Sequence, residues 1–170
     1  MPIDDQDNAR WDESDLSPTA KAVLEAHARR EYPNECCGLI LRSKTDPAAP
    51  VRVRECVNAQ NIHHRLDPRR FPRTARNAYF IDPADLLAIE QERRANGEVV
   101  AAIYHSHCDA DAYFSEEDVH RALVGDDPLF PGVAYLVMSV WKDRPIGIKT
   151  FRWHPEMGRF VSDCGEYARG

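Results

Sequence analysis

Val99-Val100-Ala101-Ala102-Ile103-Tyr104-His105-Ser106-His107 is a short apolar run that ends in a histidine pair, and Ser115-Glu116-Glu117-Asp118 follows after seven further residues. The run is too short for a core helix and reads as a buried strand. In an extended chain residues i and i+2 share a face, so the imidazoles of His105 and His107 point the same way and can converge on one ion. Ser115 starts a helix that runs through Leu123, which puts Asp118 in its first turn, where the helix dipole favours a carboxylate. A connection of this length can fold that turn back against the strand end. Two histidines and one carboxylate leave the fourth position of a tetrahedral zinc ion open for water, as a catalytic site requires. Such water has its pKa lowered to about 7 and is a nucleophile near neutrality.

A plainer reading stands beside this one. Ser115-x-x-Asp118 has the form of a helix capping box, and a histidine pair alone is a weak metal signal. The two readings are compatible, because a capping serine can still present its hydroxyl to a ligand. A third element lies far upstream, in Pro33-Asn34-Glu35-Cys36-Cys37-Gly38-Leu39. Glu35 sits at a helix-to-strand junction and is the first residue after Pro33 and Asn34 that could enter a cleft. Taken alone it would be an ordinary solvated glutamate.

Outward from these motifs the chain divides into recognisable elements. Ser17-Pro18 offers an N-cap and a first-turn proline for a helix running to Arg30, which Pro33 ends. Cys37 to Leu41 is a short buried strand, and Val51 to Arg54 alternates as a half-buried strand does, so the two suggest an antiparallel pair. Residues 58–77 lack periodicity, contain Pro68, Pro72 and five arginines, and read as a long functional or mobile loop. Tyr79 to Ile81 reads as a short strand. Asp82-Pro83 opens a second helix that Asn96-Gly97 stops with a left-handed cap. Val133 to Val140 is a third buried strand, and Ile146 to Trp153 can pair with it. Helices interspersed with hairpin-linked strands predict a mixed α/β (α+β) fold, a mixed sheet flanked by helices. Residues 1–15 are polar and acidic and read as a mobile tail; 16–170 read as one domain.

The chain has 170 residues, the size of one domain with one core. A formal charge of −6 argues against a general nucleic-acid binder. No apolar run reaches the roughly 20 residues that span a bilayer, and the N-terminus lacks the apolar core of a secretory signal, so the expected location is the cytoplasm. Five cysteines at irregular spacing give neither a disulfide framework nor paired zinc knuckles.

Glu35-x-Cys37-Gly38 before an apolar strand, then His105-Ser106-His107, then Ser115-x-x-Asp118 together resemble the signature of the JAMM (MPN, JAB-type) metallopeptidases. The resemblance spans Pro33 to Asp118 by motif, and the flanking helix and strands fall in the expected order. It implies a cytidine-deaminase-like MPN domain with a curved mixed sheet, and Zn2+ as cofactor. It implies that His105, His107 and Asp118 are the metal ligands. Glu35 then corresponds to the general base in the attack of zinc-bound water, and Ser115 to the hydroxyl that meets the substrate carbonyl or its oxyanion. It implies hydrolysis of a peptide or isopeptide bond at the C-terminus of a ubiquitin-like protein. The short chain is similar to bacterial members that act on sulfur-carrier proteins ending in Gly-Gly. Many relatives carry proline after the second histidine, where this chain has Cys108-Asp109.

Alternatives remain for several residues. Cys108 could be a thiolate ligand, although its parity on an extended backbone turns it away from His107. Cys36 or Cys37 could be a nucleophile, although the resemblance assigns Cys37 to the core. His63-His64 lacks an evident third ligand. The arginines of the 58–77 loop are solvated or grip an acidic partner or C-terminal tail. Tyr113-Phe114 read as core rather than cleft. The domain could also be a non-catalytic MPN interaction module, or a hydrolase of small amides.

Overall fold

In the computed structural model, which describes residues 11–168, a short 3-10 turn at Glu13–Asp15 precedes the first long helix. In chain order the elements are α1 (Pro18–Glu31), β1 (Cys37–Ser43), β2 (Arg52–Cys56), α2 (Gln60–Leu66), α3 (Pro83–Asn96), β3 (Glu98–Cys108) and α4 (Glu116–Ala122). They continue with β4 (Leu123–Val124), β5 (Asp127–Pro128), β6 (Ala134–Trp141), β7 (Arg144–His154) and β8 (Arg159–Ser162). Six strands form one sheet in the order β2-β1-β3-β6-β7-β8. Only the β3–β6 pair is parallel; the other neighbours are antiparallel, so the sheet is mixed as expected.

Period-two alternation splits the core between the two faces of this sheet. Ile40, Ala102, Tyr104, Leu136 and Met138 pack with Trp11, Leu24 and Ala28 on the face that α1 covers. Leu39, Leu41, Ile103, Tyr135 and Val137 pack with Ile89 of α3, Ala122 of α4 and the rings of Phe114, Phe151 and Phe160 on the other. β3 is buried along nearly its whole length because it has strands on both sides and helices on both faces. Gly38 is required where β1 crosses Tyr104: a Cβ there would lie 2.4 Å from the Arg54 carbonyl and 2.6 Å from the tyrosine ring. The space left by glycine lets the Tyr104 hydroxyl reach His27 Nδ1 at 2.8 Å.

The helix ends follow their sequence signals. Ser17 and Asp82 cap α1 and α3 through their side chains, each with proline in the first turn, and Gly97 closes α3 at φ 63°. Three expectations are corrected, and three short strands were not foreseen. The 58–77 segment contains α2, a two-turn helix with no side-chain cap, too short for periodicity to reveal it. Tyr79 to Ile81 is not a strand; Ile81 makes a single bridge to Asn58. The four-residue β8 and the small β4–β5 pair carry no alternation long enough to read. Of residues expected as a tail, 1–10 lie outside the described residues, whereas Trp11 is buried, its carbonyl accepts from Arg152, and Asp15 pairs with buried Arg42. The buried indole of Trp11 holds this turn against the sheet.

Candidate metal centre and its cleft

The sheet parity that separates the two cores also builds the site. His105 and His107 continue the face of Ile103, toward α4, while Ser106 takes the opposite face. The two Nε2 atoms lie 3.2 Å apart. His105 Nε2 lies 3.2 Å from Asp118 Oδ1, and His107 Nε2 lies 3.3 Å from Asp118 Oδ2. All three residues are buried, and they form a group of ligand atoms able to hold a metal ion. A four-coordinate ion bound at about 2.0–2.1 Å by such N and O donors needs ligand atoms about 3.3 Å apart, which is what these separations provide.

The tautomers fit the same purpose. His107 Nδ1 is 3.0 Å from the Asp111 carbonyl, which can only accept, so that nitrogen carries the proton and Nε2 turns a lone pair into the group. The turn that delivers Asp111 begins at Asp109, whose φ of 53° is one that aspartate tolerates. Ser139 Oγ holds the next residue by donating to the Ala110 carbonyl at 2.7 Å. His105 is fully buried, and its ring stacks on Tyr79 at 4.4 Å. Burial lowers the His105 pKa against the opposing pull of Asp118. For Asp118 burial acts upward, but the two imidazoles outweigh it and hold the carboxyl well below its usual range. Both shifts favour the deprotonated forms that a cation needs.

Ser115 and Asp118 also form the capping box that the sequence allowed. The Asp118 N–H donates to Ser115 Oγ at 3.1 Å, and the Ser115 N–H donates back to Asp118 Oδ2 at 2.8 Å. The Ser115 hydroxyl donates to the same oxygen at 2.7 Å. The cap thus fixes the rotamer of the residue that faces the histidines.

Glu35 reaches the site from the other side. Cys37 pairs with His105 in the β1–β3 ladder, and Cys36 exchanges two bonds with Ser106, its N–H to Oγ at 2.8 Å and its carbonyl to N–H at 3.1 Å. Glu35 therefore arrives beside His107. It is 4% exposed, and its Oε2 is buried without a hydrogen-bond partner. Burial, reinforced by the Asp118 charge, raises its pKa well above the usual carboxyl value. Glu35, His107 and Ser115 line one small cavity of about 60 Å³.

That cavity includes two of the loop arginines that the sequence offered as a grip for an acidic partner or C-terminal tail. Arg73, Arg76 and Asn77 of the 58–77 segment form part of its wall. The segment is tied in place by side chains. Asn58 Nδ2 donates to the carbonyls of Glu35 and Ala78, and its Oδ1 accepts the N–H groups of Gln60 and Phe80. Gln60 donates to the Arg73 carbonyl, and Glu35 N–H donates to the Ala75 carbonyl. No periodic signal marks these contacts. Tyr113, expected in the core, instead lines the cleft edge-on to His107, while Phe114 is buried in the core.

The competing residues are placed elsewhere. Cys108 borders the cleft but falls outside the ligand group, and burial followed by the Glu35 charge pushes its thiol up to about 12. Burial raises Cys36 to about 12 as well, and Cys37 sits in the core, so neither is a ready thiolate. His63 packs against Phe71 and Phe80 and His64 bonds the Phe71 carbonyl, both away from the ligand group. No helix among the described residues is long and apolar enough to cross a membrane.

Comparison with known proteins bears on the family and the fold. Residues 19–153 match the family model described as prokaryotic homologues of the JAB domain. The CysO-cysteine peptidases of Mycobacterium tuberculosis and Mycobacterium bovis are 33% identical to this chain over 104 residues. That alignment covers 61% of this chain and 62% of theirs, less than two thirds of the relatives' length. The solution structure of a Desulfitobacterium hafniense protein matches with a TM-score of 0.58 at 25% identity, covering 91% of this chain and 89% of that one. A Salinibacter ruber protein matches with the same score at 24% identity, covering 91% and 90%, and shares the fold.

Proposed function

Since the chain belongs to the prokaryotic JAB-domain family, we propose that it is a zinc-dependent peptidase that cuts an amide bond at the C-terminus of a ubiquitin-like sulfur-carrier protein. The single observation that carries this reading is the buried carboxyl of Glu35, whose Oε2 has no hydrogen-bond partner, in the same small cavity as His107 and Ser115. A carboxylate kept from water without a partner is costly, and beside a metal-ligand group its plausible use is proton transfer. Names of similar proteins add the substrate class, since the mycobacterial relatives are peptidases of a CysO-cysteine conjugate.

His105, His107 and Asp118 would hold the ion, which supplies Lewis acidity that polarises the scissile carbonyl and makes water nucleophilic near neutrality. Glu35 takes a proton from the attacking water and delivers it to the leaving nitrogen as the C–N bond breaks. Its raised pKa suits both halves of that transfer, because a group poised nearer neutrality accepts and returns a proton with little free-energy difference. Ser115 Oγ donates to the carbonyl oxygen as charge develops there. To do so it turns its proton away from Asp118 Oδ2, which keeps the Ser115 N–H as a partner.

Metal analysis by plasma mass spectrometry on wild type and Asp118→Ala, purified without added metal, tests the centre. About one zinc per wild-type chain, absent from the variant, is the expected result. Intact mass of a sulfur carrier bearing a C-terminal cysteine after Gly-Gly then tests the reaction, with Glu35→Gln as the inactive control. An uncleaved carrier in the presence of zinc-loaded wild type overturns the peptidase reading.

A further inference from the structure

The cavity that holds Glu35, His107 and Ser115 has two guanidinium groups in its wall, those of Arg73 and Arg76. Several arginines elsewhere are committed to carboxylates. Arg52 and Arg54 of β2 pair with Glu92, and Arg93 and Arg94 of α3 pair with Glu90. Among the described residues neither Arg73 nor Arg76 has such an ion pair; Arg73 makes a long 3.4 Å bond to the Asn77 carbonyl. Their backbone is nonetheless fixed. Gln60, fully buried, holds the Arg73 carbonyl at 2.7 Å, Asn61 accepts the Ala75 N–H at 2.8 Å, and the Ala75 carbonyl receives the Glu35 N–H at 2.7 Å. Two arginines without a short ion pair are therefore carried on a hydrogen-bonded strap that is tied to Glu35, whose carboxyl also feels the Arg73 charge.

The local charge makes this placement informative. Glu35 lines the cavity and feels the nearby Asp118 charge, so an anionic ligand entering there would meet carboxyl groups unless cations offset them. Guanidinium groups bind carboxylates with charge-assisted, often bidentate geometry. A cavity of about 60 Å³ has room for a residue with a small side chain and not for an aromatic one.

We infer that Arg73 and Arg76 read the free α-carboxylate of the residue released by cleavage, so that the site takes chains ending in one small residue beyond the scissile bond and discriminates against isopeptides and internal bonds. The inference rests on the peptidase reading for the position of the scissile bond. Arg73 and Arg76 are specificity-determining residues in this scheme: they line the same cavity as Glu35, and the substrate carboxylate lies one residue from the amide nitrogen that Glu35 protonates.

The test uses two short peptides ending in Gly-Gly-Ala, one a free acid and one a C-terminal amide, titrated calorimetrically into zinc-loaded Glu35→Gln protein. The acid is expected to bind roughly 10-fold or more tightly than the amide, as for a charged hydrogen-bonded contact. Combining Arg73→Gln with Arg76→Gln removes that preference, while Arg73→Lys with Arg76→Lys keeps part of it. Circular dichroism and thermal melts establish that each variant is folded. Equal affinities, no binding of the acid at millimolar concentration, or a preference that survives loss of both arginines overturns the inference. Cleavage of the two peptides by wild type separates the readings. Equal cleavage of acid and amide overturns the arginine role and keeps the peptidase; preferential binding of the acid without any cleavage keeps the arginine role and overturns the peptidase.

Discussion

The two walls of the cleft are built by different means. The wall of His105, His107, Ser115 and Asp118 is regular structure: a strand supplies the parity of the imidazoles, and a helix cap supplies the rotamer of the carboxylate. Most of its bonds would be made by any capped helix beside any strand, and its one buried atom without a partner is the neutral ring nitrogen His105 Nδ1. The wall of Glu35, Arg73 and Arg76 is irregular and is held by side chains bonding to backbone, above all those of Asn58 and Gln60. Here a buried carboxylate oxygen has no partner at all. A ligand group can thus be made cheaply from local rules, whereas a proton-transfer group must be forced into a place that folding alone disfavours.

If the walls are separable, breaking each should give a distinct defect. Glu35→Gln is expected to slow cleavage by roughly 10²–10⁴-fold, the usual worth of a general acid–base group, with zinc content by mass spectrometry unchanged. His107→Ala should give the opposite pairing, loss of metal along with activity. Metal loss in Glu35→Gln would mean that the two walls form one unit and that the comparison is wrong. Ser115→Ala comes next and probes whether the cap is structure, chemistry or both. It is expected to lower kcat about 100-fold by removing one donor to the developing oxyanion, and to cost about 1 kcal/mol in chemical denaturation by removing the cap. A loss of stability with kcat unchanged would confine Ser115 to the capping role.

The same contrast explains what could be read from the chain. Parity along 99–107 and the Ser115-x-x-Asp118 spacing are local rules, so the ligand wall was legible, as were the caps at Ser17, Asp82 and Gly97. The two antiparallel pairs that flank β3 followed from the hairpin signals. The second wall was legible at Glu35 through the family resemblance and at the loop arginines only as one of two open readings. Asn58 makes four bonds to Glu35, Gln60, Ala78 and Phe80, across as many as 23 positions in sequence, and no periodicity encodes such a staple. α2 was hidden because two uncapped turns give too little pattern, and Trp11 because a single indole decides that turn.

Asn58 accordingly offers the sharpest probe of the irregular wall. Asn58→Ala deletes both donors and both acceptor contacts and is expected to cost about 2–3 kcal/mol, a typical sum of partly buried hydrogen bonds. Asn58→Asp keeps the acceptor for Gln60 and Phe80 but can no longer donate to the Glu35 and Ala78 carbonyls. It should therefore lose about half of that stability in urea unfolding, and lower activity with zinc retained. An Asp variant as active as wild type would show that the Glu35 carbonyl contact does not position the carboxylate.

The smallest expected effect asks whether Glu35 is held against the preference of the fold. Its pKa is raised in the folded chain, chiefly by burial and then by the Asp118 charge, above an unfolded value of about 4.3. The folded state then binds more protons than the unfolded state between those two values, so stability is fully present below the unfolded pKa and is lost as pH rises through the folded one. The slope within that window is about 1.4 kcal/mol per pH unit for a complete difference of one proton. Gln does not titrate, so Glu35→Gln escapes this loss. In metal-stripped protein, where no added cation compensates the carboxylate, the variant should melt higher than wild type at pH 7.5, by on the order of 1 kcal/mol after the cost of burying the amide. The advantage should shrink toward pH 4.5. All other titrating groups, His105 and Asp118 included, are shared by the two proteins and cancel to first order in the difference. A variant less stable than wild type at pH 7.5, or a difference independent of pH, would mean that Glu35 rests comfortably in the fold, and the contrast between a cheap ligand wall and a strained proton-transfer wall would fall with it.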